Sequence, residues 1–437
     1  MNAKAYSSKT FAALGVRNFR LYFFGQLISV SGTWMQSVAL GWLVLQTTGS
    51  SLDLGLVVAL QFVPMLVAGP YGGLVADRRQ KRQILYVTQS MSGVLALVLG
   101  LLVTMHHVSM PTLYLMAGLL GLVNLFDNPA RQSFVQEMVG PELIANAVSL
   151  NSVLMNAGRL IGPGIAAGFI AVFGSAVCFY ANAGSYLAVL GALVLMRGKD
   201  FLPMRTVSRE KGQVRLGLRY VSSQPMLREI LIGVAVIGLF AYNFTVTLPL
   251  LARTTFHARS AADYGLLMAA MGLGAIIGGL ATAYRARPTP RLLAGLTLGF
   301  GVMLTLVGVM PTLTWAELLL IPTGALSIAF VSTANSFLQT NSTQEMRGRV
   351  MSLYAVAFLG TTPIGAPLVG RVINYTNPRV GVLLGAVVTL IMGGVSRANR
   401  DTSARPRDRV ERRLPLGSAF VRGVVIGENE HSRCPES

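Results

Sequence analysis

The sequence predicts an all-α membrane protein with twelve transmembrane helices in two pseudo-symmetric bundles of six. Hydrophobic residues make up 53% of the 437-residue chain and charged residues only 12%, about half the charge of a typical soluble protein. Long apolar runs, each able to cross a bilayer, recur along most of the chain. Weak matches at an offset of 203 residues indicate an internal repeat.

The first bundle is predicted at 19–196, after a polar, basic N-terminus at 1–18 that we expect to be cytoplasmic. This N-terminus and the long first apolar run do not fit a cleavable signal peptide, so span 1 is expected to act as an uncleaved anchor. The predicted spans 1 to 6 are 19–46, 53–75, 83–105, 111–130, 143–172 and 175–196.

A basic segment without a long apolar run, 197–228, is the predicted cytoplasmic linker to a second bundle at 229–396. The charged tail at 397–437 lacks apolar periodicity, and we expect it to be a disordered cytoplasmic anchor. The predicted spans 7 to 12 are 229–251, 262–284, 291–310, 314–337, 348–371 and 379–396.

The internal repeat supports the division into two halves. SFVQ at 133–136 matches SFLQ at 336–339, and Gly162 matches Gly365 at the same offset. Duplicated halves are typical of secondary transporters, whose substrate site lies between the halves near mid-membrane.

The net charge of +19 reflects membrane topology rather than nucleic-acid binding. With the N-terminus inside, the cytoplasmic side holds most of the 36 Lys and Arg, as expected for an inner or plasma membrane protein with both termini in the cytoplasm. Arg159 lies within a span, and the residues placed outside are Arg253, Arg259, Arg371 and Arg379.

No pattern indicates a cofactor, a metal site or catalysis. Cys178 and Cys434 form no disulfide framework, and the four histidines have no metal-ligand spacing. A phosphate-binding G-x-x-x-x-G-K-[ST] loop is missing from the sequence, so ATP hydrolysis by this chain is not expected. A membrane enzyme would need paired acids or a nucleophile within the bilayer, and the sequence offers neither.

The segment GGLVADRRQKR at 72–82 lies between spans 2 and 3 and resembles the signature loop of the major facilitator superfamily. Gly73 allows close backbone approach, Asp77 can face a helix N-terminus, and the cations hold the loop inside. Gln80 replaces the family's usual glycine, which makes a less tight turn. The resemblance implies a cytoplasmic gate formed by Gly73, Asp77, Arg78, Lys81, Arg82, Asp127 and Arg131.

Two interpretations of Asp127, predicted at the end of span 4, stay open. It forms either a local salt bridge with Arg131 or a gate contact with Arg78. In the second case Asp77 lies at the start of span 11, near Gly348. The gate contacts exist only when the cytoplasmic ends are together, and they favour the outward-open state.

Span 5 contains NAGRLIGPGIAAG at 156–168, with an arginine in mid-membrane. A charge there costs at least a few kcal/mol, so Arg159 serves either substrate or ion coupling, or is held structurally by nearby polar groups. The glycines at i, i+4 make bare helix faces, and a proline permits a bend. The segment resembles the antiporter motif of superfamily exporters, although plain helix packing is an alternative. Its members are Gly158, Arg159, Gly162, Pro163, Gly164 and Gly168.

FDNPARQSFVQEMV at 126–139 and QEMRGRVMSLY at 344–354 resemble the drug:proton antiporter-3 branch, also called transmembrane secretion effectors. The resemblance implies export of small amphipathic compounds, a drug or a siderophore, by proton antiport. The coupling proton follows from the resemblance alone, because we place Asp53, Asp127, Asp263 and Glu317 at span ends. Spans 1, 4, 7 and 10 line the cavity in this superfamily, which implies Gln26, Trp34, Gln36, Asn124, Tyr242, Asn243 and Asn335.

The predicted partners are the lipid bilayer, a small-molecule substrate and protons, and the protein is expected to be a monomer that binds no nucleic acid. An importer of a metabolite such as a sugar is one alternative function. A non-transporting receptor or scaffold of the same fold is another.

Overall fold

The computed structural model describes residues 11–202, 213–258, 260–284 and 288–411. These residues form helices and no strands, and twelve segments are long and apolar enough to cross a membrane. The chain divides into two units, 1–396 and 397–437. Residues 1–10, the middle of the linker, Arg259 and the tail beyond residue 411 with Cys434 lie outside the described residues.

The first bundle consists of six helices, and its main difference from the prediction is the length of span 4. That helix continues eight residues past the predicted end, because Phe134, Val135 and Met138 extend its buried face. Pro129 lies inside the helix without ending it. The helices of spans 1 to 6 are Arg17–Thr48, Ser51–Arg78, Lys81–Thr104, Met110–Met138, Ile144–Phe173 and Ala176–Leu195.

A tight turn joins spans 1 and 2. Gly49 ends span 1 with a left-handed φ of 68°, a conformation that glycine adopts at little cost. The Ser50 side chain then accepts a hydrogen bond of 3.2 Å from the backbone N–H of Asp53. Ser50 is therefore the N-cap, while Asp53 lies in the first turn and accepts a 2.7 Å hydrogen bond from the Tyr114 hydroxyl.

The second bundle differs from the first in having two interrupted spans. Span 7 comprises Pro225–Ala241, Phe244–Leu250 and a π-helical turn at Leu251–Thr255, and span 11 comprises Arg347–Leu359 and Thr362–Tyr375. A short helix, Gln213–Ser223, precedes span 7. Spans 8, 9, 10 and 12 are Ala261–Tyr284, Pro290–Val309, Leu313–Thr340 and Pro378–Glu411.

The sequence predicted continuous helices at both interruptions. In span 7 the helix stops at Tyr242, and the Asn243 side-chain amide donates a 2.7 Å hydrogen bond to the carbonyl of Leu239, which the break would otherwise leave without a donor. The breaks lie side by side, since a Cβ at Gly238 would meet the hydroxyl of Thr361 at 2.8 Å. Discontinuous helices in transporters frequently line the binding site.

The repeat is visible in the packing of the two matched glycines. Gly162 of span 5 lies against the backbone of span 1, at Ser31 and Met35. Gly365 of span 11 lies in the same way against Leu239 of span 7. The two bundles thus use equivalent close helix contacts, and they meet each other through the pairs span 2 with span 11 and span 5 with span 8.

Candidate functional site: a central basin between the bundles

Two ends of the molecule can be distinguished. We call the end with the connections after spans 2, 4, 6, 8 and 10 the basic end, and the other end the opposite end. At the opposite end the bundles are joined. The Ser51 hydroxyl donates a buried 2.9 Å hydrogen bond to the carbonyl of Gly370, and Arg253 donates to the carbonyl of Leu45. A Cβ at Gly55 would lie 2.5 Å from the carbonyl oxygen of Ala366.

The contact between spans 5 and 8 continues from the opposite end as far as Arg159. A Cβ at Gly265 would lie 2.8 Å from the carbonyl oxygen of Pro163, and one at Gly272 would lie 2.8 Å from that of Arg159. Because only glycine permits this approach, the two bundles are sealed at this level. Arg159 therefore lies at a level where spans 5 and 8 are in backbone contact.

On the basic-end side of Arg159, span 5 carries polar residues that are open to their surroundings. Ser149 and Ser152 are exposed, and Asn156 is half-buried. These positions fall on one helix face together with Arg159. Polar side chains on one face of a spanning helix line water rather than lipid. We infer that this face borders a water-filled space with Arg159 at its apex, and we call that space the central basin.

Arg159 is held against Trp34 of span 1. Its guanidinium carbon lies 4.8 Å from the centroid of the indole ring, a cation–π contact. This proximity depends on Gly162, since a Cβ there would come within 2.7 Å of the Cβ of Trp34. The Nε of Arg159 is buried without a hydrogen-bond partner in the described chain. The absence of a side chain at Gly162 thus positions an arginine that has no acidic partner among the described residues.

Aromatic rings of the second bundle cluster around the break in span 7. Tyr242 lies at the break in span 7, within electrostatic range of Arg159, and its hydroxyl donates a 2.7 Å hydrogen bond to the carbonyl of Ser327. Its ring centroid is 5.0 Å from that of Phe358 and 5.6 Å from that of Phe300. We call these three rings and their neighbours the aromatic wall, which comprises Tyr242, Phe244, Phe300, Tyr354 and Phe358. Of these five residues the sequence predicted only Tyr242 as cavity-lining, because a single aromatic residue in an apolar helix does not indicate which neighbour it will face.

The other residues predicted to line the cavity differ from one another in burial. Gln26 is 1% exposed and Gln36 is 7% exposed. The Gln36 side chain accepts a 2.7 Å hydrogen bond from Asn182 of span 6, so it serves the interior of the first bundle. Asn243 is buried at the break, whereas Asn124 and Asn335 are half-buried.

Of the predicted gate residues, Lys81 and Arg82 connect elements within the first bundle in this conformation. Lys81 forms a 2.9 Å salt bridge with Glu137 of span 4. Arg82 donates to the carbonyl of Leu193 in span 6. Arg78 is exposed, and Asp77 is half-buried. Gly73 is buried, and a Cβ at the adjacent Gly72 would meet the backbone of Leu125 in span 4. A contact of Asp77 or Arg78 across the gate stays a prediction for a conformation closed at this end.

Asp127 lies inside span 4 rather than at its end, eleven residues before Met138. It is 1% exposed and forms an ion pair with Arg131, the local alternative of the two interpretations. Its other oxygen accepts hydrogen bonds of 2.8 Å from Thr88 and 2.7 Å from Gln89 of span 3. The expectation that every acid lies at a span end was therefore wrong for Asp127, because span 4 is longer than its apolar run.

The glycines of span 5 have two environments. A Cβ at Gly158 would lie 2.5 Å from the side chain of Val30, so Gly158 and Gly162 form the close contact with span 1. Around Gly164 and Gly168 there is open space within 4 Å. The expectation of a second close-packing face at this pair is not met in this conformation, since no helix backbone lies beside it.

Comparison with known proteins agrees with the fold and with the family that the sequence resembles. The family model described as "Transmembrane secretion effector" matches residues 8–410. The chain is 26% identical over 389 residues to the multidrug efflux pump Tap of Mycolicibacterium fortuitum, covering 86% of this chain and 94% of that protein. It is also 26% identical to the enterobactin exporter EntS of Salmonella choleraesuis, and that match covers 87% of this chain and 93% of EntS.

A solved structure shares the fold. It is a bacterial homologue of the human lysosomal transporter Spinster in an inward-facing, unoccupied conformation, with a TM-score of 0.66 and 16% identity, and the match covers 95% of this chain and 100% of that one. The chain thus belongs to the transmembrane secretion effector family of the major facilitator superfamily, and it is a multi-pass membrane transport protein rather than an enzyme.

Proposed function

We propose that the protein is a secondary active exporter of small amphipathic organic compounds, located in the inner membrane with both termini in the cytoplasm. The observation that carries the proposal is the central basin. The basin lies between two pseudo-symmetric bundles. It is sealed toward the opposite end, and it is lined by polar groups toward the basic end. The relatives named as an efflux pump and an enterobactin exporter support the outward direction.

Alternating access gives the mechanism its sequence of events. The described conformation receives substrate from the basic end, which we assign to the cytoplasm because cations concentrate there. Separation of spans 2 and 11 and of spans 5 and 8 then opens the opposite end. These contacts consist of glycines, single hydrogen bonds and short backbone approaches, which can be made and broken as a unit.

Proton antiport is the proposed energy source. The chain has no nucleotide-binding loop, and a buried carboxylate, Asp127, is paired with Arg131 inside the helix of span 4. We assign Asp127 as the candidate coupling group. A proton that enters as the substrate leaves would supply the free energy for export against a gradient.

The test uses everted membrane vesicles that contain the full chain and a fluorescent amphipathic anion, the dye 1-anilinonaphthalene-8-sulfonate. An imposed proton gradient should drive dye uptake into the vesicles without ATP, and a protonophore should abolish it. Vesicles with the Asp127→Asn protein should lose gradient-driven uptake. Uptake that is indifferent to the proton gradient would refute antiport, and dye movement in the opposite direction would favour a metabolite importer.

A further inference from the structure

We propose that the substrate is a small organic anion that carries an aromatic ring, and that Arg159 binds its anionic group. This inference rests on the proposed function, because only a transporter has a substrate in this sense. It concerns the charge class of the compound, which neither the fold nor the family determines.

The first step is the unpaired charge of Arg159. The ion pairs of the described chain are Lys81–Glu137 and Asp127–Arg131, and Arg159 belongs to neither. Its Nε is buried without a partner. A guanidinium near mid-membrane without a counter-ion is costly, and a substrate anion would supply both the missing charge and the missing acceptor.

The second step is the position of the guanidinium. It lies at the apex of the central basin, at the level where Gly272 of span 8 is in close contact with the backbone of span 5. An anion that enters from the basic end along Ser152 and Asn156 would reach Arg159 as the last group before the seal. A purely structural arginine would be expected to have its donors satisfied by backbone or side-chain oxygens.

The third step is the aromatic wall. Tyr242 of the aromatic wall lies within electrostatic range of Arg159, and Tyr242 and Phe358 are half-buried, whereas Phe300 is fully buried. Tyr242 and Phe358, whose ring centroids are 5.0 Å apart, can offer ring edges and faces to a planar aromatic group. Trp34 adds an indole on the first-bundle side at 4.8 Å from the guanidinium. A cation, by contrast, would be repelled by Arg159 and would find no carboxylate at the apex in the described residues.

The experiment measures binding of four matched probes to the purified full chain by isothermal titration calorimetry at constant ionic strength. The probes are 2-naphthoate, 2-naphthylmethylammonium, neutral 2-naphthamide and cyclohexanecarboxylate. A charge-assisted contact is worth about 1.5–3 kcal/mol, or roughly 10- to 100-fold in affinity. We expect 2-naphthoate to bind at least about tenfold more tightly than the ammonium and amide probes, and about 2- to 10-fold more tightly than cyclohexanecarboxylate, which keeps the charge but lacks the aromatic ring.

The variant Arg159→Gln should reduce 2-naphthoate affinity to that of 2-naphthamide and leave 2-naphthamide affinity unchanged. The matched control is Arg371→Gln, at an exposed arginine that lies over Tyr375 at the opposite end. Equal or tighter binding of the ammonium probe to the unaltered protein would overturn the proposal, and this comparison does not depend on the variant folding. Unchanged 2-naphthoate affinity in folded Arg159→Gln would overturn it as well.

The outcomes separate this inference from the proposed export function. Anion-selective binding through Arg159 without gradient-driven transport in vesicles would refute the exporter and leave the charge class standing. Gradient-driven transport of cationic dyes, without preferential binding of 2-naphthoate, would support the exporter and refute the anionic charge class.

Discussion

At the residue scale, Arg131 and Arg159 have different surroundings, although the Nε of each is buried. Arg131 is neutralised by Asp127, whose other oxygen is satisfied by Thr88 and Gln89. Arg159 has only an aromatic face. The first arrangement is a closed network in which each charge supports the other, and the second leaves binding capacity at the apex of the central basin.

The ion pair gives a prediction about stability. Asp127→Asn or Arg131→Gln alone should destabilise the protein by about 3–5 kcal/mol, because each leaves a buried charge unpaired. The double variant Asp127→Asn/Arg131→Gln should be less destabilised than either single variant. Thermal unfolding of the detergent-purified proteins measures the effect.

The pair Lys81–Glu137 serves as the control for this prediction. Its side chains are 12% and 15% exposed, against 2% for that of Asp127, so neutralising Lys81 should cost less than neutralising Arg131. A double variant as unstable as the sum of the singles would show that the two charges do not act as a pair.

At the element scale, span 5 is organised by what lies opposite each glycine. Gly158 and Gly162 bring span 1 close enough to place Trp34 beside Arg159, whereas Gly164 and Gly168 have open space. The two glycine pairs have the same i, i+4 spacing in the sequence. They differ only in whether a neighbouring helix lies against them.

The two pairs give opposite predictions for the same substitution. Gly162→Ala should lower stability by about 1–3 kcal/mol through overpacking, because a Cβ there meets the backbone of Ser31 and the side chain of Trp34. Gly164→Ala should be neutral or stabilise by up to about 1 kcal/mol, since alanine is the better helix former. Unfolding temperatures of the two purified variants decide this, and equal effects would contradict the assigned packing.

At the scale of the whole molecule, the conformation is sealed at the opposite end by Ser51, Gly370 and the glycine contacts of spans 5 and 8. The loop at 72–82 lies at the other end, where its charges bind mainly within the first bundle. We expect its inter-bundle contacts to form only when this end closes. Transport requires both states, so either seal can limit the rate.

A prediction about the gate follows. Asp77→Asn should impair closure of the basic end, raise the share of the described conformation and reduce export while leaving the protein inserted. The reporter is a single cysteine at the exposed Ser152, in a chain with Cys178 and Cys434 replaced by serine. Its labelling rate by a water-soluble maleimide should rise. Ser152→Cys with Asp77 intact is the control, and unchanged labelling together with normal export would disprove the gate.

The class of protein and the number of spans could be predicted from the sequence, because hydropathy and charge asymmetry are local properties that need no knowledge of contacts. The motif at 72–82 and the arginine of span 5 were found in the same way. The pairing of Asp127 with span 3, the breaks at Tyr242 and Gly360, and the contact of Trp34 with Arg159 were decided by the tertiary structure. Each of these features depends on contacts between residues far apart in the chain. The local sequence around a polar or aromatic residue in an apolar run does not indicate which helix that residue will contact.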